Sequence, residues 1–124
     1  MQKILFYTTD LTKEKKIKDL CKRLSISTRK LKSTDANIAI GNLAGIGIAN
    51  TMNHTKSPKE FVMPEVIIFS GLADEMLDTF LAEYKKDNIE AVPLKAVITK
   101  HNINWTLYML IVELIRERNS YLKI

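Results

Sequence analysis

The sequence predicts an α/β domain, a three-layer sandwich in which a four-stranded parallel sheet with spatial order 2-1-3-4 carries helices on both faces. Three observations predict it. Short β-branched and aromatic runs alternate with stretches whose apolar residues recur at helical spacing. The order strand-helix-strand-helix occurs twice, and parts of the two occurrences align without gaps at a spacing of 63 residues. In that alignment Ile4, Phe6, Ile26 and the pair Leu31, Lys32 fall on Ile67, Phe69, Ile89 and the pair Leu94, Lys95. Adding four residues before the last helix puts Asp35 on Asn102 and Leu43 on Leu110. The pattern reads as a duplicated strand-helix-strand-helix unit in one domain over residues 1–124, with halves at 1–52 and 65–124 and a linker at 53–64. Right-handed crossovers are compatible with that strand order, with helices one and four on one face and helices two and three on the other. The competing ferredoxin-like α+β sandwich orders its helices differently.

Each element has a local cause. "KILFYTT", Lys3 to Thr9, is an apolar, aromatic run ended by turn formers, which suits a buried strand. Asp10 or Thr12 caps the helix that follows, where Ile17, Leu20, Cys21 and Leu24 make an inward stripe of about 100°. Lys15, Lys18 and Lys22 project away from it, and Cys21, lying within it, reads as a small core residue rather than a nucleophile. "ISTRKL", Ile26 to Leu31, is the second strand, and Asp35 caps a second helix in "ANIAIGNLAGIGIAN". There Gly41 and Gly45 lie one turn apart and would admit a neighbouring element; neither a Walker loop nor a dinucleotide fingerprint is present. Pro58 and Pro64 punctuate the linker "NHTKSPKEFVMP". "VIIFSG", Val66 to Gly71, is the third strand, and Asp74 opens a helix with Leu77, Phe80, Leu81 and Tyr84 inward. "IEAVPL", Ile89 to Leu94, is the fourth strand, and the last helix runs from about Ile103 to Arg118.

A chain of 124 residues buries roughly two-thirds of its unfolded surface, core enough without disulfides. The single cysteine excludes an internal bridge, and with no apolar leader the expectation is a cytoplasmic protein. The longest apolar segment, Leu107 to Val112, falls far short of the roughly 20 residues of a membrane span. The net charge of +5 is uneven: residues 1–63 carry twelve Lys/Arg against five Asp/Glu, and the remainder seven against nine. Such asymmetry suits either a solvated face or an acidic partner.

The second half resembles a known family. "VIIFSGLADEMLDTFLAEY" and "PLKAVITKHNINWTLYMLIVELIRE" are similar to the bacterial and archaeal domain of unknown function 3783, through Leu94, Lys95 and Ala96, then Thr99, Asn102 and Trp105, and the pair Glu113, Leu114. "GNLAG", Gly41 to Gly45, is similar to the first half of longer members. The resemblance implies a small α/β domain of the prokaryotic cytoplasm and transfers no activity.

In an open parallel sheet a ligand sits beyond the carboxyl ends of the strands at the topological switch point, here between strands one and three. The expected lining is Thr8, Thr9 and Asp10 from one loop and Ser70 and Gly71 from the other, with the following helix offering free amides to an anion. Lys95, Thr99 and Asn102 join them from the connection to the last helix: Lys95 as an anion contact or a solvated lysine, Thr99 stabilising the turn, and Asn102 as the N-cap. Trp105 anchors the core. His54, His101 and Ser57 make no catalytic or metal-binding set of usual spacing, so no catalytic residue, metal or cofactor is assigned.

The function this supports is a small interaction or regulatory module binding a small anionic ligand or a protein. Two alternatives stand beside it: nucleic acid or an acidic protein held by Lys15, Lys18, Lys22, Lys30 and Lys32, without the aromatics that base stacking needs, and an enzyme on an anionic small molecule using Asp10 or Lys95. The last helix is apolar over more than the roughly 100° that packing on a sheet requires. A homodimer through Tyr108, Ile111 and Ile115 would bury the excess, or the linker residues Phe61, Val62 and Met63 would fold over it.

Overall fold

The computed structural model describes residues 2–47 and 56–122; His54 and the start of the linker lie outside them. The elements are β1 (Lys3–Tyr7), α1 (Leu11–Arg23), β2 (Ser27–Lys30), a 3-10 turn (Ser33–Asp35), α2 (Ile40–Leu43), β3 (Val66–Ser70), α3 (Asp74–Lys86), β4 (Leu94–Val97) and α4 (Leu107–Leu122). The sheet has the expected order β2-β1-β3-β4. It is mixed, however, and not parallel throughout: β1 runs parallel to β2 and β3 parallel to β4, but β1 and β3 are antiparallel. The handedness rule constrains only the two parallel pairs, each closed by its own helix. What orients one pair against the other is the joint between α2 and α4. The amides of Ile40 and Gly41 donate to the carbonyls of Trp105 and Ile103, and those of Leu107 and Tyr108 donate to Ile38 and Ala36. These bonds flank an antiparallel Ala39–Thr106 bridge, which closes only when the two halves oppose each other.

The reversal also redistributes the helices. α1 and α3 share one face, over a core of Ile4, Phe6, Ile17, Leu20, Cys21, Ile67, Phe69, Phe80 and Tyr84. α2 and α4 cover the other, over Leu5, Leu31, Ile40, Leu43, Val66, Ile68, Leu94, Leu107, Leu110 and Ile111. The expected grouping of helices one with four and two with three is thereby corrected. β3 is buried along its whole length, as an inner strand covered on both faces should be.

Three boundaries differ from expectation, each for a local reason. β4 begins at Leu94 rather than ending there, because Pro93 has no amide to give to a ladder. Ile89 and Val92 still reach the α1–α3 core from the loop before it, where the Tyr84 hydroxyl donates to the Glu90 carbonyl. α2 is only four residues long, since Gly45 at φ +82° turns the chain. The Gly45 amide donates to Asn42 and the Ile46 amide to Gly41, a Schellman exit that favours glycine at its left-handed position. Finally, α4 starts at Leu107, with the Thr106 hydroxyl accepting from the Met109 amide.

α1 and α3 end alike. Ser25 at φ 58° and Asn88 at φ 55° take the left-handed position. The Ile26 and Ile89 amides then return to the carbonyls of Cys21 and Tyr84.

Candidate ligand cleft

The antiparallel pairing separates the two loops expected to form one crevice. Lys3 stands opposite Ser70 and Tyr7 opposite Val66, so the carboxyl end of β1 lies beside the start of β3. Thr8, Thr9 and Asp10 therefore sit at one end of the sheet, and Ser70 and Gly71 at the other. At the first end the polar groups are spent on structure. Asp10 caps α1, its Oδ1 accepting from the amides of Thr12 and Lys13. Thr8, buried, donates to Glu65, and Thr9 is exposed. Lys13 is 6% exposed and places its ammonium 2.9 Å from Glu65 Oε1 and 3.3 Å from the Ala91 carbonyl. Burial pushes the Glu65 carboxyl up, but the bonds from Thr8 and Lys13 outweigh it and hold the group below the usual carboxylate range.

At the opposite end, Ser70, Gly71 and Thr99 come together around a cleft of about 650 Å³. It lies on the α2–α4 side, at the carboxyl ends of β3 and β4 and the amino end of β1. Side chains alternate along a strand, so Ser70 points to the same face as Val66 and Ile68, which pack in the α2–α4 core. Ser70 is 5% exposed, and among the described residues its hydroxyl has no hydrogen-bond partner. Lys3, from the facing position of β1, and Lys100 bring two ammonium groups, and no lining residue is acidic. Lys3 Nζ lies 3.4 Å from where a side chain on Gly45 would begin. Neither lysine has a carboxylate partner among the described residues. Ala44, Ile46, Ile98 and Ile103 supply an apolar wall. Gly71, at φ 71°, exposes backbone at the mouth.

Lys3, Lys100 and the wall were not among the residues singled out by sequence. Lys3 is joined to Ser70 only by the antiparallel register, for which the sequence carries no local signal.

Asn102 does not cap α4. Its Oδ1 accepts from the Thr99 amide and its Nδ2 donates to Val97, while Thr99 Oγ1 accepts from His101 and Asn102. The pair locks the turn that leaves β4, and the His101 and Trp105 rings meet in a T-shaped contact, 5.4 Å between centroids. The first amides of α2 and α4 are not free for an anion there, because each pair donates to carbonyls in the segment leading into the other helix. The start of α3 carries Asp74 and Glu75, which already complement its dipole. Lys95 lies apart, exposed, in a groove of about 620 Å³ between β4 and α4 with Leu114, Glu117 and Arg118.

Of the residues considered for an interface, Ile111 is fully buried beneath α4, so it is a core contact and not a surface one. Tyr108 is half-buried in a T-shaped contact with the Phe61 ring, 5.0 Å between centroids. Met63 is buried and Val62 is exposed, while Ile115 remains 38% exposed. Among the lysines of the basic half, Lys15 pairs with Asp19, and Lys18 and Lys30 pair with Glu14. Cys21 lies in the core, where burial pushes its thiol up to about 12.

Among the described residues no three His, Cys, Asp or Glu side chains gather to hold a metal ion, and no helix is long and apolar enough to cross a membrane. Residues 65–121, from the start of β3 to the last turns of α4, match the model of the family described as domain of unknown function (DUF3783), so the resemblance read from Leu94, Lys95, Ala96 and Trp105 is shown over the second half. No curated protein and no solved structure matches the chain.

Proposed function

We propose that this chain is a small binding module of the cytoplasm that takes an anionic small molecule in the cleft between Lys3, Ser70 and Lys100. One observation carries the reading: Ser70 is 5% exposed and its hydroxyl has no partner among the described residues, in a cleft also lined by Lys3 and Lys100, which pair with no carboxylate among those residues. A buried polar group left unsatisfied costs about 1–3 kcal/mol, and a ligand oxygen accepting from Ser70 would recover it. The two lysines contribute charge without the fixed fork of an arginine, which suits a compact anion. Thr8, Thr9 and Asp10 have no part in it.

The halves are read as a duplicated unit that has diverged at this point. Leu5 stands opposite Ile68, its counterpart at the spacing of 63, and Ala39 stands opposite Thr106. The position corresponding to Ser70 is Tyr7, whose ring packs against the α2–α4 core. Where the first half fills the space, the second leaves it open.

Thermal-shift measurements with acetate, isovalerate, inorganic phosphate and AMP test the reading. At least one anion should raise the melting temperature, and Lys3→Gln combined with Lys100→Gln should remove that rise. No shift with any of the four, or a shift that survives in the double variant, would reject it.

A further inference from the structure

Resting on that reading, we infer that the ligand is a carboxylate with a branched apolar body, rather than a nucleotide or inorganic phosphate. Phosphates are usually held by a cradle of backbone amides at a helix start. Here the amides at the starts of α2 and α4 are already bonded, Ile40 and Gly41 to Trp105 and Ile103 and Leu107 and Tyr108 to Ile38 and Ala36, and the start of α3 carries Asp74 and Glu75, which repel a phosphate. What the lining offers an anion is the two ammonium groups of Lys3 and Lys100 and the hydroxyl of Ser70. Ile46, Ile98 and Ile103 stand as the wall.

Ile46 is 50% exposed. An apolar body lying against it would remove that surface from water. The volume of about 650 Å³ leaves ample room for one beside the anion. The geometry thus pairs a monoanion at Lys3 and Ser70 with a short aliphatic chain along the isoleucines.

A homologous series reads the two parts separately. Dissociation constants for acetate, propionate, butyrate and isovalerate, measured by calorimetry at fixed ionic strength, should fall about fourfold per added carbon. Inorganic phosphate should bind more weakly than isovalerate. Ile46→Ser, at an exposed position that should not disturb folding, should flatten the series while leaving acetate within about twofold. Lys3→Gln should instead weaken every member by a similar factor, about tenfold or more. A flat series, phosphate binding as tightly as isovalerate, or an undiminished slope in Ile46→Ser would overturn the apolar part and leave the anion site standing. Failure of every anion to bind would reject both.

Discussion

Replacing Lys13 by methionine removes the cation that faces Glu65 while keeping most of the side-chain volume. The ammonium is bonded to both oxygens of Glu65, at 2.9 and 3.1 Å, and to the Ala91 carbonyl, so it ties α1 to the start of β3 and to the loop before β4. Breaking one partner of a buried pair costs about 3–5 kcal/mol, because the other charge is left uncompensated. The Glu65 side chain is 27% exposed, so water reaches it in part. The expected loss is therefore about 2–3 kcal/mol. For a chain of this size that is roughly a 10 °C fall in melting temperature.

Urea unfolding followed by the single tryptophan, Trp105, measures it. Removing both charges, with Glu65→Leu added, should recover more than half of the loss, since no orphaned carboxylate remains. The pH dependence has a definite sign. The Glu65 carboxyl is held below its ordinary value in the folded state, so its contribution is complete above the unfolded carboxylate pKa, about 4.3, and fades as pH falls through the lower folded value. The gap between wild type and Lys13→Met should accordingly narrow below about pH 4. A Lys13→Met protein within 0.5 kcal/mol of wild type (about the usual error of such comparisons), or a double variant no more stable than the single one, would refute the account of this cluster.

Two further predictions concern stability and assembly. Ser25→Gly places glycine at φ 58° with no side-chain contact at stake, and chemical denaturation should find the protein about 0.5–1 kcal/mol more stable; no gain would contradict the cap assignment. Because Phe61 and Met63 cover α4 and Ile111 is buried, light scattering at micromolar concentration should return the 14.2 kDa monomer, and a stable dimer would contradict this use of the linker.

Much of the architecture was legible because it depends on local pattern. The stripe Ile17, Leu20, Cys21 on α1 and the run Val66 to Ser70 on β3 occupy the core positions that their periodicities imply. The expected strand order, compatible with right-handed crossovers, is the one observed. The relative direction of the halves was not legible, for it goes with backbone bonds between Ala36–Gly41 and Ile103–Tyr108, which carry no side-chain signature. That single reversal explains why the residues expected to line one crevice are divided between the two ends of the sheet. Ser70, Gly71 and Thr99 were named, but Lys3 and Lys100, which line the same cleft, were not, while Thr8 and Asp10 lie at the opposite end of the sheet. Likewise the four extra residues of the second half fall before β4 and not after it, since Pro93 bars Ile89–Val92 from the ladder.

The central claim is that the open end of the sheet beside Lys3 and Ser70, and not the end at Asp10, receives a ligand. Backbone amide chemical shifts of the isotope-labelled full chain, recorded with increasing isovalerate, test it most directly. The account predicts saturable changes at Gly45, Gly71 and Lys100 with Asp10, Thr12 and Lys13 unmoved; changes confined to Asp10, Thr12 and Lys13, or none at all, would contradict it.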